Sequence, residues 1–225
     1  MARVARALGD LTEELVFIGG AVAPLLQTRP PFPRARPTRD VDATTAFRSY
    51  RDLERLHGQL SAAGFRQDPA APGHLHRWVS PAGDWLDLVP AGDHPGGSGQ
   101  RWDWLAVETS EHADLGDGVV VRHASGPAWL ALKWAAYLDR GRDDPYGSHD
   151  LEDFLALIAS RPSLGGEVGA SPAEVAEWIA GAAGALLQMP EVDDLLAGHL
   201  NNAQDPARVR AGVRERLQAL AAMGA

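Results

Sequence analysis

The sequence predicts an α+β fold, in which a small, mixed, twisted β-sheet flanked by helices is followed by a C-terminal helical half. Two observations predict it. Short strand-like runs bounded by glycine and proline turns fall within residues 1–125. From Pro127 onward, apolar residues recur at helical spacing, and several of these segments start at a proline. We therefore predict an α/β core over 1–125 and a helical region over 126–225 packed on that core.

The N-terminal segments combine a buried strand with a glycine turn. Residues 3–14 have the pattern of a short amphipathic helix, residues 15–18 form an apolar run that stops at Gly19-Gly20, and residues 21–27 are again helical in pattern. A strand, a glycine turn and a helix N-terminus together present backbone N–H groups to an anion. Gly19 and Gly20 are therefore candidates for phosphate binding, although a Gly-Gly pair after a strand is by itself more often only a turn.

Two aspartates one residue apart follow this turn and are the most informative feature of the chain. A loop over residues 28–37 with four prolines leads into a predicted strand over residues 40–44, which contains Asp40 and Asp42. Residues at i and i+2 of a strand project from the same face, so the two carboxylates converge. Magnesium is usually held by one or two carboxylates and completes its shell with substrate phosphates. The pair therefore predicts a Mg²⁺ site for one or two ions and a nucleotide substrate.

A third acid lies in the next strand-like segment. After a predicted helix over residues 50–63, two strand-like runs, 74–79 and 85–89, are separated by a turn at 80–84 and predict a hairpin. Asp87 is the single acid inside the otherwise apolar second run. A buried, unpaired carboxylate costs several kcal/mol, so Asp87 should meet an ion, a base or solvent. We predict that a hairpin partner of the Asp40 strand supplies Asp87 as a third metal ligand; an exposed strand position is the alternative.

The helical half contains one lysine in apolar surroundings. Lys133 lies among leucine and tryptophan in the predicted helix 127–138, where it either extends its amine to solvent or meets an anion. A lysine facing a cleft would bind a triphosphate as a point charge. Asp150 and Asp153 share one face of the next predicted helix, 150–159. Helix capping by Asp150 or His149 is the ordinary alternative to a catalytic role. Two further helices are predicted over 172–187 and 206–222.

Composition narrows the class of protein. The net charge of -9 argues against a surface that binds nucleic acid throughout, but residues 29–55 contain seven arginines against four acids. This local surplus is either a solvated loop and helix face or a funnel for a triphosphate or an RNA end. The chain has no cysteine, no signal-peptide pattern and no apolar run of membrane-spanning length, which predicts a cytoplasmic protein without a membrane partner. It also lacks a Gly-x-Ser-x-Gly elbow and a Walker-type segment.

With these residues in place, the chain resembles the bacterial AbiEii-like nucleotidyltransferases, a branch of the polymerase-beta-like superfamily that includes toxins of toxin-antitoxin pairs. Residues 17–21 look like the family's glycine motif, and residues 36–42 match its Arg-x-Thr-x-Asp-hydrophobic-Asp signature. The third segment runs from Lys133 to the Asp-x-x-Asp pair of the next helix.

The resemblance implies a role for each matched residue. It makes Asp40 and Asp42 metal ligands, Lys133 a triphosphate contact and Asp150 catalytic. Asp87 joins them as a third ligand because of its strand context. The nucleotide site would be completed by the glycines and the signature residues before the acids: Gly19, Gly20, Arg36 and Thr38. The implied activity is transfer of an NMP from an NTP to an acceptor hydroxyl of RNA, protein or a small molecule, with an antitoxin-like protein as a further partner. A catalytically silent binding module of a two-protein complex is the alternative.

Overall fold

The computed structural model describes residues 1–29, 40–47, 49–68, 76–92 and 100–224. The chain divides into two compact units. One unit comprises the described residues within Met1–Val22 and Arg36–Ser125, and the other comprises those within Ala23–Ala35 and Gly126–Ala225. Residues 23–29 therefore group with the C-terminal helices, although they precede most of the sheet in the chain.

The first unit is built on one mixed sheet. Within the described residues, its seven strands lie in the order β3-β4-β5-β2-β1-β7-β6. Strands β2 and β5 are parallel, as are β1 and β7, and the other neighbours are antiparallel. The strands are β1 Val16–Ile18, β2 Asp40–Ala46, β3 Arg66–Gln67, β4 Arg77–Val79, β5 Trp85–Ala91, β6 Glu111–Asp114 and β7 Val120–His123.

Helices pack on this sheet and complete the core of the first unit. Helix α4 contacts the central strands β1, β2 and β5, and the side chains of Phe17, Leu86 and Leu88 are fully buried. Helix α3 begins at an N-cap serine, Ser49, whose hydroxyl accepts a hydrogen bond from the backbone N–H of Asp52. The helices of this unit are α1 Ala2–Leu8, α3 Tyr50–Ala62 and α4 Arg101–Glu108, with 3₁₀ turns at Gly9–Glu13 and Gly20–Val22.

The second unit is helical in every element that the structure describes there. Helix α8 packs against α5 and α10, and α6 packs against α5 and α10. Helix α10 is capped by Asp205, whose side chain accepts a hydrogen bond from the N–H of Arg208, and has a proline in its first turn. The helices are α2 Ala23–Leu26, α5 Gly126–Arg140, α6 His149–Ser160, α7 Leu164–Gly169, α8 Ala173–Leu187, α9 Val192–His199 and α10 Pro206–Ala221.

The α+β fold class is confirmed, and the differences concern short elements and one strand pairing. The sequence did not reveal α4, α7, α9, β3 or β6, all of them short, with apolar patterns too brief to show a period. The hairpin of β4 and β5 forms as expected, but β5 joins β2 as a parallel neighbour and not as its hairpin partner. None of the described helices has the length and apolar character that crossing a membrane requires.

Candidate active site

Three carboxylates share one face of the sheet in the first unit. Asp42 on β2 stands directly beside Asp87 on β5 in the parallel register, and Asp40 precedes Asp42 by two residues. All three are half-buried, whereas Val41 and Leu86, which alternate with them, are buried. Residues in register on neighbouring strands and residues at i and i+2 point to the same side, so the three acids lie on one face.

The parallel pairing corrects the expected route by which Asp87 reaches this face. Because β5 already pairs with β4 through the tight turn after Val79, its other edge is the one that meets β2. The chain between β2 and β5 includes α3, which is the kind of crossover that a parallel pair requires.

The glycine turn passes directly against one of the acids. Ile18 pairs with Asp42 across β1 and β2, so Gly19 leaves the sheet next to the Asp42 side chain. Gly19 has φ +68, and a Cβ added there would overlap the Asp42 carboxylate oxygen Oδ2 and lie 2.7 Å from Cγ. Both the backbone conformation and the lack of space therefore demand glycine at this position. Gly20 opens the 3₁₀ turn that follows.

Asp87 is held by an arginine that the sequence did not single out. Arg77 on β4 stands opposite Asp87. Its Nε donates to Oδ1 at 2.7 Å and its Nη2 donates to Oδ2 at 2.6 Å. The same Nη2 lies 3.8 Å from Asp40 Oδ2. The hydrogen bonds to Asp87 raise the pKa of the Arg77 guanidinium, which lies over the Trp85 ring at 4.5 Å from its centroid. The base that Asp87 was expected to meet is therefore Arg77.

The sequence did contain a signal for this contact. A hairpin with its turn at residues 80–84 pairs Val79 with Trp85. Two residues further from the turn on each strand, Arg77 stands opposite Asp87. Cross-strand pairs of opposite charge are a regular feature of antiparallel strands. The prediction of the hairpin was thus sufficient to find Arg77.

The acids fit magnesium in their chemistry, with one condition. Among the described residues, no group of three or more His, Asp or Glu side chains is arranged to hold a metal ion. Arg77 binds both oxygens of Asp87, and Asp40 and Asp42 are the other two carboxylates on this face. Two carboxylates with water and substrate phosphates are a sufficient shell for Mg²⁺. Asp87 fits as a third ligand only where Arg77 releases it.

The second unit contains a buried ionic cluster around Lys133, which is 7% exposed. Its Nζ lies 2.5 Å from Asp153 Oδ2 and 3.1 Å from Asp150 Oδ1. Arg140 donates to Asp150 Oδ2 at 2.8 Å. Burial alone would raise the pKa of Asp150, but the Arg140 hydrogen bond and the Lys133 charge outweigh it and lower that pKa. In the structure, the anion that Lys133 meets is supplied by these two aspartates.

The cap of α6 is Ser148, whose hydroxyl accepts from the N–H of Leu151. The alternative of capping by Asp150 or His149 is therefore wrong.

Two predicted nucleotide-binding residues, Arg36 and Thr38, lie outside the described residues. Of the arginines between residues 29 and 55, Arg55 is ion-paired with Glu14 at 2.7 Å.

Comparisons with known proteins give weak similarities. No protein-family model matches the chain, and no curated protein matches it at a significant level. Among solved structures it is similar to JHP933 from Helicobacter pylori, at 14% identity and TM-score 0.49, covering 99% of this chain and 91% of that one. An antigenic nucleotidyltransferase-like protein from Paracoccidioides brasiliensis has 18% identity and TM-score 0.45, covering 94% and 91%. The antibiotic-resistance factor ANT(2'')-Ia has 16% identity and TM-score 0.45, covering 71% and 81%. At such identities and TM-scores, the function of this chain has to be argued from its own side chains.

Proposed function

We propose that this protein is a magnesium-dependent nucleotidyltransferase that moves an NMP from an NTP to an acceptor hydroxyl. The observation that carries the proposal is the placement of Asp42 between Asp87 on one side and the Gly19 turn on the other. A carboxylate cluster that abuts a turn without side chains brings a cation site next to a backbone surface on which phosphates can lie.

Each residue of the first unit has a separate task in this proposal. The N–H groups of the Gly19-Gly20 turn bind phosphate oxygens of the NTP. Asp40 and Asp42 hold Mg²⁺, which when bound would neutralise charge on the reacting phosphates. The acceptor oxygen attacks the α-phosphorus, the bond from that phosphorus to the β-phosphate oxygen breaks, and pyrophosphate leaves. Asp87, once released by Arg77, either serves as a third ligand or takes the proton of the acceptor hydroxyl.

We also propose roles for the other predicted site residues. Lys133 contacts the triphosphate, which requires it to exchange Asp150 and Asp153 for phosphate oxygens. Asp150 assists catalysis, and Arg36 and Thr38 contact the nucleotide. An acceptor on RNA, protein or a small molecule, a toxin role and an antitoxin-like partner are proposed from the resemblance to AbiEii-like proteins. A cytoplasmic location is proposed from the lack of cysteine in the sequence.

A second function is favoured by one observation. Because Arg77 satisfies both oxygens of Asp87, the third acid is neutralised without any metal. A catalytically silent module that binds a nucleotide or a protein partner has no need of a third metal ligand, and a permanent Arg77–Asp87 pair would suit it. Retained NTP binding without transfer would identify this case.

The test is transfer of label from each α-³²P NTP in the presence of Mg²⁺, total RNA and cell extract. We expect labelled acceptor with the wild-type protein and at least about a hundredfold less with Asp42→Asn, because the metal loses a ligand charge. The matched control is Asp139→Asn, which removes the same charge from an exposed position of α5. Equal transfer by all three proteins would refute the role of Asp42. Absence of transfer with NTP binding intact in calorimetry would favour the silent module.

A further inference from the structure

Arg77 places a fixed positive charge inside the carboxylate face to which the proposed function assigns a divalent ion. We propose that Arg77 is the resident counter-cation of Asp87, that a divalent ion has to displace it from this carboxylate, and that Arg77 thereby sets the metal affinity of the site. The inference rests on the proposed function, because it assumes that Asp40 and Asp42 bind a divalent ion.

Asp87 needs a counter-charge because of where it lies. Its side chain is 15% exposed and stands on a strand between the fully buried Leu86 and Leu88. A carboxylate withdrawn from water in this way is costly unless it is paired and hydrogen-bonded. The two parallel N–H···O bonds from Arg77 satisfy both oxygens in the geometry that arginine and carboxylate prefer. Arg77 therefore stabilises the acid face in the absence of metal.

The same contacts compete with a divalent ion. Magnesium binds a carboxylate oxygen at about 2.0–2.1 Å, and both Asp87 oxygens already accept hydrogen bonds from Arg77. The Arg77 guanidinium also lies 3.8 Å from Asp40 Oδ2. A cation bound among Asp40, Asp42 and Asp87 would thus lie close to the guanidinium, and the two like charges would repel each other. Metal binding that includes Asp87 requires Arg77 to withdraw.

Trp85 gives the guanidinium a partner that does not depend on Asp87. The Arg77 guanidinium carbon lies 4.5 Å from the centre of the Trp85 ring. Trp85 is 37% exposed and stands in register with Asp40. A cation over an aromatic face is attracted without using hydrogen bonds. Arg77 can therefore release the carboxylate and keep the tryptophan contact, which lowers the cost of displacement.

The test measures binding of Mn²⁺, used as the probe, to the whole chain of 225 residues in the absence of nucleotide. Binding is followed by calorimetry and by the loss of the electron paramagnetic resonance signal of free Mn²⁺. We expect Arg77→Gln to bind Mn²⁺ at least about tenfold more tightly than wild type, since a competing charge is gone. Arg77→Lys keeps the charge but loses the two-point contact, and we expect an intermediate affinity. Arg66→Gln, at an exposed position of β3, is the control with no expected change.

The double variant Arg77→Gln, Asp87→Asn should lose the gain in Mn²⁺ affinity, because the Asp87 carboxylate that Arg77 would have released is itself removed. Thermal melting establishes that each variant is folded, and Arg77→Lys carries the test if Arg77→Gln does not fold. The inference is overturned if Mn²⁺ binds wild type measurably and neither Arg77 variant binds more tightly. If none of the folded proteins binds Mn²⁺, the magnesium site of the proposed function fails as well, which is a different result from equal binding by all of them.

Discussion

The close approach of Gly19 to Asp42 gives the sharpest prediction, through the substitution Gly19→Ala. The backbone at φ +68 costs an L-residue about 1–2 kcal/mol. The new Cβ would also overlap Oδ2 of Asp42 and lie 2.7 Å from its Cγ, so the carboxylate has to leave its rotamer at a cost of about 0.5–1.5 kcal/mol. The sum is about 1.5–3.5 kcal/mol, which corresponds to a fall in melting temperature of about 3–14 °C for a chain of this size.

A matched substitution separates the two costs. Gly118 has φ +74, but a Cβ there would meet nothing within 4 Å. Gly118→Ala therefore carries the backbone cost alone, and the difference between the two variants in unfolding by urea measures the contact with Asp42. In an Asp42→Ala background the penalty of Gly19→Ala should shrink by about 1 kcal/mol, because the overlapping carboxylate is gone.

The same pair of variants tests the site. Gly19→Ala should weaken Mn²⁺ binding and label transfer, because it displaces a predicted metal ligand, whereas Gly118→Ala should leave both unchanged. Equal loss of stability in the two variants, together with unchanged Mn²⁺ binding in Gly19→Ala, would show that the turn does not press on Asp42. The predicted contact between Gly19 and the Asp42 carboxylate would then be refuted.

Three further predictions concern the ionic cluster and cap of the second unit. Lys133→Ala should destabilise the protein by about 3–5 kcal/mol in urea unfolding, because it leaves Asp150 and Asp153 buried with less compensating charge; a loss below about 1 kcal/mol would contradict this. The pKa of Asp150 is lowered from 3.8, so on acidification the unfolded chain takes up a proton at this carboxylate before the folded protein does. The stability that ionised Asp150 contributes is therefore complete above about pH 4 and is lost as the pH falls below that value. Between pH 7 and pH 3, the free energy of unfolding should decline less steeply for Asp150→Asn than for wild type. Parallel curves for the two proteins would contradict the lowered pKa of Asp150. Ser148→Ala should cost about 1 kcal/mol through loss of the α6 cap, whereas an unchanged midpoint would mean that another group caps the helix.

The parts of the site that follow from local pattern could be predicted from the sequence. Asp40 and Asp42 share a face because of the two-residue period of a strand, and the apolar neighbours of Asp87 place it on one side of its own strand in the same way. Gly19 was recognisable as a turn because an apolar run stops there. Each of these features depends on only a few adjacent residues.

The parts that depend on pairing between distant strands could not be predicted in this way. The order of strands decides that Asp87 stands beside Asp42 in a parallel pair, and no local pattern encodes that order. The register of β1 with β2 brings Gly19 against the Asp42 carboxylate. The capping of α6 by Ser148 was missed for a different reason, because Ser148, His149 and Asp150 are all plausible first-turn residues and only the backbone geometry selects among them.

The strand order also gives the carboxylate face two unlike flanks. Read across the sheet from β1 to β4, the face presents first the turn at Gly19, then Asp42, then Asp87, and finally Arg77 with its tryptophan. Three strand spacings of about 4.8 Å separate the ends, so the face is about 14 Å wide. One flank is bare backbone and the other carries a cation and an indole. A ligand that lies across these acids would therefore meet bare backbone at one end and a guanidinium beside an indole at the other.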